Sequence, residues 1–181
     1  MILGSPTWIS NHSGSNVTEI AITSGIDSTY STYLFVLADI HPEAVTQQCS
    51  FNTDHAGTSY NNPHCSSNIA WQYNDDDSGG IMEQQGGILW TNNTTPVEMT
   101  RRIGNGASSS GGYIFYMFDP STATTETQYM WHASSYTDSD DGTYGIWNCA
   151  KENGAGTISK IRFVGNGGGN LTGTINMYGV S

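Results

Sequence analysis

Apolar residues recur at every second position along this chain, and no stretch holds them at the three-to-four spacing of a helix. Tyr113, Phe115 and Met117 lie opposite Ile114, Tyr116 and Phe118 between Gly112 and Phe118. A period of two is the mark of a β-strand, whose successive side chains point to opposite faces. The same pattern marks Val17 to Ile22, with Ile20 and Ile22 on one face, and Gln48 to Asn52 through Cys49 and Phe51. Ile69, Trp71 and Tyr73 alternate ahead of an acidic run, Asp75-Asp76-Asp77. Ile88 to Trp90, Val97 to Ile103, Gln128 to Ala133, Thr143 to Cys149, Thr157 to Val164 and Leu171 to Val180 complete the set. Tyr33 to Ile40 is nearly continuous apolar, as in a central strand buried on both faces, and stops at His41-Pro42.

The residues that favour helices are scarce. Asp, Glu, Lys and Arg together make up 12% of the chain, so a helix would lack its usual solvent face. Ser, Thr and Asn take their place, and these compete for backbone hydrogen bonds and favour turns. The expectation is all-β: an antiparallel β-sandwich of jelly-roll type. With no linker and no internal repeat, residues 1–181 read as a single domain with a short N-terminal arm over about residues 1–8. The loop Gly165-Asn166-Gly167-Gly168-Gly169-Asn170 tolerates positive φ at almost every position and reads as a hairpin-like turn between the last two strands.

Charge removes several functions. Sixteen Asp and Glu stand against five Lys and Arg, a formal charge of −11. Binding nucleic acid requires clustered cations, and Arg101-Arg102 is the one adjacent basic pair. Anionic membrane surfaces are disfavoured for the same reason, and no window is apolar enough for a spanning helix. Met1 to Pro6 has neither the basic nor the long apolar region of a secretory signal. The three cysteines, Cys49, Cys65 and Cys149, have no CxxC spacing and read as reduced thiols, with a Cys49–Cys65 bridge open if their strands are neighbours.

Four sets of residues could carry chemistry. Asp138, Asp140 and Asp141 resemble the opening of an oxygen-rich Ca²⁺ loop, but Cys149 stands where the closing acidic residue belongs, and solvated loop carboxylates are commoner. Cys49, His55, His64 and Cys65 are ligand types that zinc accepts, although adjacent strand residues such as His64 and Cys65 point apart. The six Glu residues are scattered without a carboxylate partner two positions away, and there is no GxSxG elbow, so an enzyme is not expected. Finally, Trp71, Trp90, Trp131 and Trp147, with Tyr73, Tyr129 and Tyr144, could form a sugar-stacking platform. Packing the core is the competing use of these rings in a chain so poor in aliphatic residues.

Three stretches carry a resemblance. They are Leu3 to Ser10, the series Tyr30, Tyr33, Phe35, Ile40 and Pro42, and a terminal pair of blocks. In the latter, Ile158, Ile161 and Phe163 precede Gly173, Ile175, Tyr178 and Gly179. Together they resemble a family of small β-rich virion proteins and fibre domains of marine bacteriophages, those of cyanobacteria and pelagic bacteria in particular. The resemblance implies a non-enzymatic structural protein on the virion surface, without a cofactor, assembled in the host bacterial cytoplasm where thiols stay reduced. Its partners would be other virion proteins, the major capsid protein first, with a homo-oligomer in the particle. Because Met1 leads directly into the domain, a capsid decoration or knob on the head is favoured over a tail-fibre tip. Ile2, Leu3 and Trp8 of the arm, and Arg101 and Arg102, are the expected contacts. The competing expectation is a tail-fibre or receptor-binding module with lectin-like carbohydrate recognition.

Overall fold

The computed structural model describes residues 4–44, 47–55, 57, 59–74, 79–83, 95–100, 103–105, 109–137, 142–166 and 169–181. Among these residues twelve strands and no helix of more than one 3₁₀ position occur. They are β1 (Thr7–Val17), β2 (Glu19–Ile22), β3 (Thr32–Pro42), β4 (Cys49–Asp54), β5 (His64–Asn74) and β6 (Gly80–Glu83). The rest are β7 (Val97–Glu98), β8 (Gly111–Phe118), β9 (Gln128–Thr137), β10 (Gly142–Glu152), β11 (Lys160–Gly165) and β12 (Leu171–Val180). All pairings are antiparallel, in a large sheet ordered β1-β12-β3-β8-β9-β10-β5-β6 and a small sheet ordered β2-β11-β4-β7.

The inner face of the large sheet is closed by the small one through aromatic rings. Phe51 of β4 lies 4.9 Å from Phe115 of β8, 5.1 Å from Tyr129 and 5.5 Å from Trp131 of β9. Phe163 of β11 meets Phe115 at 5.9 Å and Phe35 of β3 at 6.2 Å. Offset and edge-on contacts at these separations are favourable beyond the area they bury. Ile20, Ile22, Leu37, Ile40, Ile103, Ile161, Ile175 and Met177 fill the space around them. Beyond β7 the chain turns Met99 inward, and its carbonyl accepts the Trp131 Nε1–H at 3.0 Å.

Several strands differ from expectation. β1 was not anticipated, because Thr7–Val17 is largely polar and lacks alternating apolar residues; it forms as an edge strand on β12. Among the described residues of Val97 to Ile103, Val97–Glu98 is the strand, and Ile103 makes an isolated bridge to Gln47. β11 and β12 are not a hairpin: β11 lies between β2 and β4, whereas β12 lies between β1 and β3. The glycine-rich segment therefore crosses from one sheet to the other. Glycine is needed there for close approach, since a Cβ at Gly165 would sit 2.4 Å from the Gly169 carbonyl oxygen. β3 is central, but only its Tyr33, Phe35, Leu37 and Ile40 side is buried; Leu34 and Val36 stay half-exposed. The second layer covers one side of the large sheet only.

Candidate functional site: the outer face of the large sheet

Register fixes which side chains share that uncovered side. One row runs across six strands as Trp8, Tyr178, Leu34, Tyr116, Met130 and Cys149. The next runs Asn176, Val36, Ile114, His132, Trp147 and Ile69. Gly112, Ser134, Gly145, Trp71 and Met82 make a third, and Tyr136, Thr143 and Tyr73 a fourth. Trp8, Ile69, Trp71, Tyr73, Met82, Ile114, Met130 and Trp147 are the large apolar side chains left exposed among the described residues. All of them belong to these rows. Scattered exposed apolar residues are ordinary, but their confinement to one face is not.

The face is also nearly free of charge. Among the described residues, no paired outward position on these strands is Asp or Glu. Lys151 stands at one margin, bonded to Glu126, and Asp39 at another, in the β3 bulge with φ 53°. The described carboxylates of this acidic chain thus lie off the rows themselves.

Local packing sets the tryptophans. Gly145 sits opposite Trp71, and a Cβ there would lie 2.1 Å from the Trp71 ring, so the indole lies across the glycine. Trp71 meets Trp147 at 6.3 Å with planes 71° apart. His132 stacks on Trp147 at 4.7 Å and 5°. Ile69, Trp71, Met82 and Trp147 line a shallow depression of about 430 Å³. The two indoles do not share a plane, one side of Trp147 is occupied by His132, and the lining of the depression offers no hydrogen-bonding group beyond the two indole N–H donors. A pyranose needs a flat ring and polar partners around its hydroxyls; an apolar protein surface needs neither.

Of the residues singled out in the sequence, Trp8, Trp71 and Trp147 lie on this face. Trp131 does not: it is fully buried beneath Phe51, because its position on β9 has the inward parity. Tyr129 and Tyr144 are likewise buried, and Tyr73 is exposed. Ile2, Leu3, Trp90, Arg101, Arg102, Asp138, Asp140 and Asp141, and the run Asp75-Asp76-Asp77, lie outside the described residues. Ile69, Met82, Ile114 and Met130 were not anticipated as surface residues. The available signal was Gly112 to Phe118, apolar on both parities: a strand covered by one layer must leave one of its two rows outside.

The histidines suggested for a metal come together with a carboxylate instead. Buried Glu152 accepts hydrogen bonds from the Thr53 and Tyr129 hydroxyls, and its two oxygens face His64 Nε2 at 3.2 Å and His55 Nε2 at 3.6 Å. Burial pushes the Glu152 carboxyl up, but His64, Thr53 and Tyr129 together hold it below the ordinary value. Burial, with the nearby Glu152 charge, drives the Tyr129 phenol well up. No cysteine joins this cluster: Cys49 is buried in the other sheet, its thiol pushed up to about 12 by desolvation, and Cys65 and Cys149 are on the large sheet. All three are free, so the Cys49–Cys65 bridge is not formed. Among the described residues no group of three or more His, Cys, Asp or Glu is arranged to hold a metal ion. The cluster joins β4, β5, β9 and β10; Glu152 and His64 are buried, and His55 at its edge is partly exposed.

No protein-family model, curated protein or solved structure matches the chain. No helix among the described residues is long and apolar enough to cross a membrane.

Proposed function

We propose that this chain is a structural protein of a bacteriophage particle, held in place by protein contacts made with the outer face of its large sheet. The observation that carries the reading is the collection of every exposed large apolar side chain, among the described residues, on one face without carboxylates. Such a face is suited to burial against protein, while the −11 charge keeps the remaining surface soluble and non-adhesive. The strand order supports a jelly-roll sandwich as its scaffold. β1-β12-β3-β8 over β2-β11-β4-β7 follows the order of the two four-stranded sheets of that fold, with β9, β10, β5 and β6 extending one sheet. Jelly rolls serve as capsid and lectin domains alike. The sequence resemblance described above favours the virion.

In its sharper form, the protein decorates the outside of the head on the major capsid protein, performs no catalysis and requires no cofactor. The test is reincorporation onto particles stripped of the protein, followed by cross-linking mass spectrometry. Unaltered chain is expected to return to the head, and Ile69→Lys to return at least tenfold less. Location on the tail alone would overturn the head assignment, and equal return of both chains would overturn the docking face.

Exposed Trp71 and Trp147 lying side by side favour a second reading, a tail-fibre or receptor-binding module that stacks neutral sugars. Saturable glycan binding lost in both Trp71→Ala and Trp147→Ala would establish it.

A further inference from the structure

We infer that the partner on the outer face of the large sheet is a second copy of the chain, packed sheet against sheet about a two-fold axis. This rests on the docking reading above and names the occupant: the copies meet on this face and enter the particle as a pair, which meets the capsid protein through its other surfaces.

Size is the first argument. Eight strands about 4.8 Å apart span about 34 Å, and the apolar rows run roughly 20 Å along them. The resulting face, about 700 Å², is close to the ~800 Å² that each partner contributes to an interface of standard size. An apolar sheet face can close a dimer as it closes a domain core, by meeting another at the ~10 Å spacing of stacked sheets.

Charge is the second. A chain of −11 would meet a basic partner through its acidic surfaces, and this face has almost no charge to offer one. What fits it is an equally neutral, apolar and flat surface. Among the described residues, the surface with those properties is this face itself. A two-fold arrangement is self-complementary by construction: whatever contacts Ile114 on one copy is contacted by Ile114 on the other. The middle of the strand order falls between β8 and β9, which places Ile114, Met130 and His132 nearest the axis. Trp8 and Met82 at the two margins then approach the partner's periphery.

The experiment is analytical ultracentrifugation of the full chain from 0.5 to 200 μM, at 50 and 500 mM NaCl. A reversible dimer is expected, and at least threefold tighter at the higher salt, because screening relieves repulsion between two like-charged copies. Ile114→Lys puts two cations near the axis and is expected to weaken the dimer at least a hundredfold, although it lowers each copy's negative charge. Thr23→Lys, an exposed change off the face, is expected to leave it within twofold. Unchanged far-ultraviolet circular dichroism shows that both variants fold. A monomer throughout the range overturns the inference, as does a dimer indifferent to Ile114→Lys or one weakened by salt. If the chain is monomeric and Ile69→Lys still fails to return to particles, the second copy is excluded and the structural role on the virion stands.

Discussion

Trp131 and Trp147 sit on neighbouring strands and have opposite fates. On β9, Trp131 is enclosed by Phe51 and Phe115 and donates its indole N–H to Met99. Trp147 projects from β10 with 60% of its surface exposed, resting on His132. The register pairs Trp131 with Asn148 and His132 with Trp147, so the two indoles are one step out of phase and on opposite sides of one sheet. Chemically they were equivalent candidates for sugar stacking. What separates them is the small sheet, which supplies apolar partners to one side and nothing to the other. The inner indole is committed to stability and the outer one is available for contact.

The comparison breaks most sharply on truncation. Trp131→Ala removes the largest side chain fully buried among the described residues and is expected to cost roughly 3–5 kcal/mol, as core aromatic deletions do. Trp147→Ala should stay within about 1 kcal/mol of the unaltered protein, since exposed positions contribute little to folding. Urea unfolding followed by fluorescence measures both. Similar losses in the two variants would mean that the outer face is covered within the monomer.

Buried Glu152 and its partners extend the inner side's commitment to polar groups. Glu152→Ala would leave the Tyr129 and Thr53 hydroxyls and His64 without their shared acceptor, at a cost of roughly 3 kcal/mol. Its pH dependence has a definite sign. The folded carboxyl lies below its ordinary value, 4.5, so the stabilisation is fully present above that pH. It is lost as pH falls below 4.5 through the lower folded value. Glu152→Gln should therefore show a shallower acid loss of its urea midpoint between pH 5 and 3 than the unaltered chain (on the order of half a unit of denaturant molarity). An identical acid slope would show that the cluster does not hold a charged carboxylate.

Much of this contrast was legible in the residues, and part was not. Leu171–Val180 is legible to its limits, because Leu171, Ile175 and Met177 alternate with polar residues and Val180 closes the strand. Gly112 to Phe118 was equally plain. β1 was invisible because an edge strand that buries little needs no apolar parity. For β5 the strand was legible but its orientation was not: Ile69, Trp71 and Tyr73 carry the strongest alternation and face outward, while small Ala70 faces in. Periodicity identifies a strand, and only the tertiary cover decides which parity is the core. Nor could spacing reveal that β11 and β12 belong to different sheets, since a glycine-rich turn serves a crossover as well as a hairpin. The pairing of His55 and His64 with Glu152 joins residues about a hundred positions apart, and nothing local encodes it.

The smallest expected effect sharpens the comparison on the outer face itself. Gly145 is the position where β10 makes room for Trp71, and the new methyl of Gly145→Ala would fall within the indole ring. Trp71 is 39% exposed, so the ring can swing outward instead of straining the backbone, and the cost should be only about 1 kcal/mol. The displacement separates Trp71 from Trp147, now 6.3 Å apart, and should abolish the exciton signal of the indole pair in circular dichroism. If both faces were packed alike, the same methyl would have nowhere to send the ring and the loss would reach the scale of Trp131→Ala. A small loss with a vanished exciton signal marks the outer side as ordered but uncovered, the state in which a docking surface waits for its partner.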